Sequence, residues 1–163
     1  MELWELVARE EIRECIAGYN AYGDSGRMAE MLDMFTDDAV MEIEGVAAKG
    51  RQAIAEVMKE AGRSFVAYAK AAGTPRDRPV LRHFTSTVTI RVVSEVAAQA
   101  SLYYFVFMHH GLDHWGRYDD EYRCVDGRWR ISHRREQLEG AIEGGFGART
   151  LGNRANVGRA KRR

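Results

Sequence analysis

The sequence predicts an α+β protein, and three observations carry the prediction. Apolar residues recur at helical spacing only up to about residue 72. After Pro79, β-branched and aromatic residues alternate with polar ones instead. An Asp-Gly pair, Asp126–Gly127, separates the last two of these runs and is the strongest short hairpin signal in the chain. Helices grouped first and strands second indicate α+β rather than alternating α/β.

The first element is a helix from about Leu3 to Tyr22, with Leu3, Leu6, Val7, Ile12, Cys15, Ile16 and Tyr19 on its apolar stripe. The stretch "GDSG" breaks it. "RMAEMLDMF" resumes the helical pattern, placing Met28, Met31, Leu32 and Phe35 together. "TDDAVMEIEG" is a turn followed by a short strand over "AVMEI". Gly50 opens a third helix with Ile54, Val57, Met58, Phe65 and Tyr68 on its apolar side, and "GTPRDRP" ends it.

Four strand-like runs follow, joined by short turns that imply an antiparallel sheet. In the first, Leu81, His83, Thr85, Thr87 and Thr89 share one face by simple alternation, and Arg82, Phe84, Ser86, Val88 and Ile90 the other. From about Leu138 the texture changes again. The stretch is Gly-rich, has no acid after Glu143 and ends in a basic cluster. The expected organisation is one domain over residues 1–137 and a tail over 138–163. That tail is either mobile or loosely docked, or else a flap over a pocket mouth or an arm to a neighbouring subunit, with Ile142, Phe146 and Leu151 as docking points.

Composition excludes several classes. Lys+Arg and Asp+Glu are both 24 in 163 residues, so the formal net charge is zero. That balance offers no nucleic-acid footprint and no polybasic membrane surface. "LYYFVFM" is the longest apolar run and is too short to span a bilayer. The acidic start "MELWELVAREE" does not read as a signal peptide, and Cys15 and Cys124 lack metal or redox spacing, so a cytoplasmic protein with reduced thiols is expected.

Two residues stand out for chemistry. Asp24 lies in the break after the first helix, where it reads either as a helix cap or as a functional carboxylate. His83 heads the first long strand among hydroxyl side chains. "HHGLDH" puts His110 and His114 four apart, but Gly111 and the flanking strands imply a hairpin, so no metal is assigned. "WRISHRR" places Trp129, Ile131 and His133 on one face by alternation, with Arg134 a candidate to hold a carboxylate. "EGGFG" is no phosphate loop, since no strand precedes it and no lysine follows.

The order of these elements resembles the SnoaL-like branch of the nuclear transport factor 2-like superfamily. The resemblance covers roughly residues 5–136, and "DMFTDDAVMEIEG", "KGRQAI" and "GRYDDEYRCVDGRWRISHR" carry it. It implies a cone in which three helices cover a curved, mainly antiparallel sheet around a pocket, assembled as a homodimer or homotrimer. Dehydratase relatives, among them scytalone dehydratase, have an Asp–His dyad in the turn after the first helix and at the start of the first long strand. Asp24 and His83 occupy the matching places.

By that resemblance the chain is a cofactor-free lyase or isomerase. His83 removes a proton beside a carbonyl, Asp24 orients the imidazole, and Tyr22 polarises the carbonyl. Phe35, Val57, Phe65, Tyr68 and Phe84 are expected as walls for a small, apolar, ring-containing substrate, with His110 and Tyr122 as polar contacts. Where scytalone dehydratase has a strand tyrosine, this chain has Met41, Glu42 and Ile43, which argues against its substrate geometry. The rival expectations are a non-catalytic module for hydrophobic ligands and an accessory small subunit of a ring-hydroxylating dioxygenase.

Overall fold

The computed structural model describes residues 2–74 and 79–149. The first helix, α1 (Leu3–Asp24), buries Ala8, Ile12, Cys15, Ile16 and Tyr19. Its first turns do not join that stripe: Leu3 is 76% exposed, and Leu6 and Val7 about half exposed. After a three-residue break comes α2 (Met28–Asp33). Phe35, expected on that helix, instead opens β1 (Phe35–Ile43) and is fully buried.

β1 turns back into β2 (Val46–Lys49), a hairpin the sequence reading lacked. Glu44 and Gly45 both have positive φ, 55° and 80°, as a two-residue hairpin of this kind requires. The third helix, α3 (Gly50–Ala71), follows as expected. The four long strands are β3 (Arg82–Ser94), β4 (Ala97–Met108), β5 (Gly111–Val125) and β6 (Arg128–Ala141). β6 thus runs past residue 137, where the domain was expected to end.

One six-stranded sheet results, in the order β2-β1-β6-β5-β4-β3. Every pairing is antiparallel except β1 with β6. Its inner face, covered by the helices, carries Leu102, Tyr104, Val106, Tyr118, Tyr122 and Ile131 against Ile12, Ile16, Tyr19 and Ile54. Cys15 is buried and Cys124 half-buried, both as free thiols, and burial pushes the Cys15 thiol up to about 12. Among the described residues no helix is long and apolar enough to cross a membrane.

Two bulges overturn the simple alternation. In β3 the register shifts between Ser86 and Thr89, and Thr87 has φ 51°. His83 and Thr85 therefore face inward before the bulge, and Val88, Ile90 and Val92 pack on the core after it. In β6, Glu121 pairs with His133 while Tyr122 pairs with Ile131, leaving Ser132 as the extra residue. Trp129 and Ile131 point inward as expected, but His133 swings to the outer face and bonds Glu42 at 2.8 Å. Arg134 takes the inward place.

Arg134 is completely buried. Its guanidinium is bidentate to Asp120 at 2.8 and 2.6 Å and lies between the rings of Tyr19 and Tyr118, 4.1 and 4.2 Å from their centroids. Tyr122 donates to the same carboxylate at 2.7 Å. The outer face presents Phe84, Tyr103, Phe107 and Trp115, each 38–50% exposed. Phe84 stacks on Phe105, centroids 5.8 Å apart.

Candidate active site

Asp24 is the last residue of α1, and β3 brings His83 to it. His83 Nδ1 lies 2.7 Å from Asp24 Oδ1, and the His83 backbone N–H donates to Oδ2 at 2.9 Å. Both carboxylate oxygens are thus committed to one residue, and the Asp24 side chain is 7% exposed. An ionised carboxylate only accepts, so Nδ1 carries a ring proton, and in the neutral imidazole Nε2 presents the lone pair. Among the described residues Nε2 has no hydrogen-bond partner. Asp24 caps no helix: α2 has no side-chain cap, and the Ser25 hydroxyl bonds Ala21 O at 2.6 Å.

The tyrosine beside this pair is Tyr104 rather than Tyr22. The Tyr104 ring centroid lies 6.2 Å from that of His83, and its hydroxyl donates to Glu136 at 3.0 Å. Burial, helped by Glu136, pushes the Tyr104 phenol far above its usual range, so it stays a neutral donor. Tyr22 packs under the Arg27 guanidinium, 4.6 Å away, and among the described residues no hydrogen bond joins it to Asp24 or His83.

The expected wall residues scatter. Phe35 is core, edge-on to Tyr19 at 5.7 Å. Phe84 is on the outer face, so it cannot line a site with His83, because adjacent strand residues point opposite ways. Tyr122 belongs to the Asp120–Arg134 cluster. Val57 packs at the edge of the core. Phe65 and Tyr68 meet Phe146, centroids 5.8 and 5.6 Å away.

That contact anchors the chain beyond β6. The Tyr68 hydroxyl donates to Gly144 O at 3.1 Å. Phe146 and Gly147 donate their N–H groups to the Asp113 carboxylate at 2.8 and 2.9 Å. Asp113 is fully buried in a β5 irregularity and also holds His114 Nδ1 at 2.6 Å and His110 Nε2 at 3.0 Å. Residues 142–149 are therefore docked, while Leu151 and the basic end lie outside the described residues. His110, expected to touch substrate, is instead a ligand of this carboxylate.

Burial alone would raise the Asp113 carboxyl, but the bonds from His114, Gly147 and Phe146 override it and hold it down at about 2. An unfolded aspartate titrates near ~3.9, so this stabilisation is complete above pH ~4 and is lost as pH falls toward 2, about 2 kcal/mol in all. Urea midpoints measured between pH 5 and 2 are expected to fall more steeply for wild type than for Asp113→Asn.

"EGGFG" also acquires a reason. A Cβ on Gly147 would sit 2.4 Å from His114 Cβ, and one on Gly145 2.9 Å from Asp113 Oδ2. Gly147→Ala is expected to lift residues 142–149 off Asp113 at a cost of about 1–3 kcal/mol. Faster limited proteolysis of that segment would report it.

A curved, mainly antiparallel sheet with helices on one face is the architecture of a class, the nuclear transport factor 2-like α+β proteins. Within it the chain belongs to the SnoaL-like domain family, whose family model matches residues 4–135. No curated protein matches the sequence. Among solved structures it resembles an NTF2-like protein with a cystatin-like fold from Novosphingobium aromaticivorans (27% identity, TM-score 0.68, covering 85% of this chain and 87% of that one). A protein of the same organism provisionally assigned as a scytalone dehydratase is 20% identical (TM-score 0.69, 87% and 91% covered). Hexachlorocyclohexane dehydrochlorinase LinA-type3 from Novosphingobium barchaimii is 17% identical (TM-score 0.66, 87% and 93% covered). The last two likenesses establish a common fold.

Proposed function

We propose that the protein is a cofactor-free lyase or isomerase in which His83 Nε2 removes a proton from carbon beside a carbonyl. The carrying observation is the double grip of Asp24 on His83, ring and backbone together. It fixes the tautomer with its lone pair away from the carboxylate, and it stabilises the imidazolium once the proton is taken. Tyr104 packs beside the base and gives its one O–H proton to Glu136. Tyr104 is the ring packed beside His83, and a small, largely apolar, ring-containing molecule is the substrate class proposed.

The test is a panel of cyclic ketones, with and without a β-hydroxyl or β-halogen, followed by NMR in deuterated buffer. Wild type is expected to exchange the α-proton or eliminate, and His83→Gln to lose both. Turnover surviving both His83→Gln and Asp24→Asn overturns the assignment. Binding without exchange or elimination would favour a ligand-holding module.

The free thiols fit a cytoplasmic setting. The aromatic outer face of β3–β5 fits burial against a second copy, as a dimer or trimer. Phe107→Asp is expected to shift sedimentation toward the monomer.

A further inference from the structure

We infer that Glu136 determines substrate specificity, selecting molecules that carry a hydrogen-bond donor, a hydroxyl or an ammonium, at the end remote from the reacting carbon. The inference rests on the His83 reading and adds a substrate class to it.

Glu136 faces the same interior as His83. It pairs with Tyr118, which is 1% exposed on the inner face, and paired residues share a face. The fully buried Arg134 stands two residues earlier, on the same parity. His83 on β3 and Glu136 on β6 are three strand spacings apart, about 14 Å at the backbone. That span calls for two fused rings rather than one. Tyr104 lies across the middle of it. Its ring centroid is 6.2 Å from that of His83, and its hydroxyl donates to Glu136 Oε1 at 3.0 Å. Gly116 leaves room for this reach, since a Cβ there would sit 2.9 Å from the Tyr104 hydroxyl.

One oxygen of the carboxylate is left over. Glu136 Oε2 has no partner among the described residues and stays open to solvent. The acids around it are matched: Asp24 holds His83, Asp113 holds His110 and His114, and Asp120 holds Arg134. Glu136 makes no such ion pair among the described residues. Its neighbours Tyr104 and Tyr118 are phenols that burial first, and Glu136 next, push up, so they stay neutral.

Holding Tyr104 requires one acceptor, which a neutral amide would also supply. A carboxylate adds a second acceptor and a charge, and it only accepts. A ligand that displaces water from Oε2 without offering a donor leaves that oxygen unpaired, which is costly. A ligand that offers O–H or N–H replaces the water.

The probes are 7-hydroxy-1-tetralone, 7-aminomethyl-1-tetralone and 7-methoxy-1-tetralone, with exchange of the proton beside the carbonyl followed by NMR in deuterated buffer at neutral pH. In wild type, kcat/KM on a donor probe is expected to exceed that on the methoxy probe by roughly tenfold or more. The faster donor probe shows whether hydroxyl or ammonium is preferred, and either supports the proposal. Glu136→Gln is expected to erase or invert the preference, because its amide gives the oxygen to Tyr104 and turns N–H toward the ligand. The ratio is taken within each protein, so a loss common to all probes cancels. No preference in wild type, or one that survives in Glu136→Gln, overturns the proposal and leaves His83 standing. If wild type exchanges none of the probes, the His83 reading falls and the dissociation constants of the same probes decide Glu136. A donor preference that Glu136→Gln loses upholds its role; equal affinities, a retained preference or no binding overturns it.

Discussion

Asp24→Asn is expected to lower turnover by roughly 10²–10⁴-fold while leaving the fold intact. The variant keeps an acceptor for the His83 backbone N–H, now bonded to Asp24 Oδ2 at 2.9 Å. Its amide nitrogen then faces Nδ1, where a carboxylate oxygen lies 2.7 Å away in the wild type. An amide N–H can only donate there, so the ring moves its proton to Nε2 and loses its basic lone pair. The loss should appear in kcat on any ketone the wild type accepts, with thermal unfolding little changed. An asparagine variant as active as wild type would show that the carboxylate does not set the tautomer.

The second large effect is on stability. Asp120→Ala is expected to cost about 3–5 kcal/mol, because it strands the Arg134 charge in the core. Arg134 is 0% exposed, and one of its guanidinium nitrogens, Nη1, already has no partner among the described residues. The aromatic faces of Tyr19 and Tyr118 cannot replace a bidentate carboxylate. The double variant Asp120→Leu, Arg134→Met removes both charges and is expected to recover most of the loss. Urea unfolding of the three proteins measures this, and a double variant as unstable as Asp120→Ala would show that packing rather than charge dominates.

The order of helices and strands was legible in the sequence because period and composition change sharply at Pro79. The meeting of Asp24 with His83 was legible only through the resemblance, since spacing alone equally allowed a helix cap. Phe35 was misplaced because "MLDMF" continues a helical period through the point where the backbone turns to strand. β2 was hidden because its turn is Glu-Gly, without the Asn or Asp that usually marks such a hairpin. The place of Tyr104 beside His83 depends on the register between β3 and β4, which no local pattern encodes. The faces of Arg134 and His133 were misread because nothing in the sequence marks Ser132 as a bulge.

The spare residue in β3 has a consequence for how that strand is read. A strand has only two parities, and Thr87 switches β3 from one to the other. The odd-numbered half holds His83 and Thr85 against the interior, and the even-numbered half holds Val88, Ile90 and Val92 there. A strand of strict alternation could not keep this sequence and satisfy both halves. It would either face Phe84 inward in place of His83 or turn three aliphatic side chains toward water. One inserted residue thus lets a single strand turn polar side chains inward at one end and aliphatic ones inward at the other.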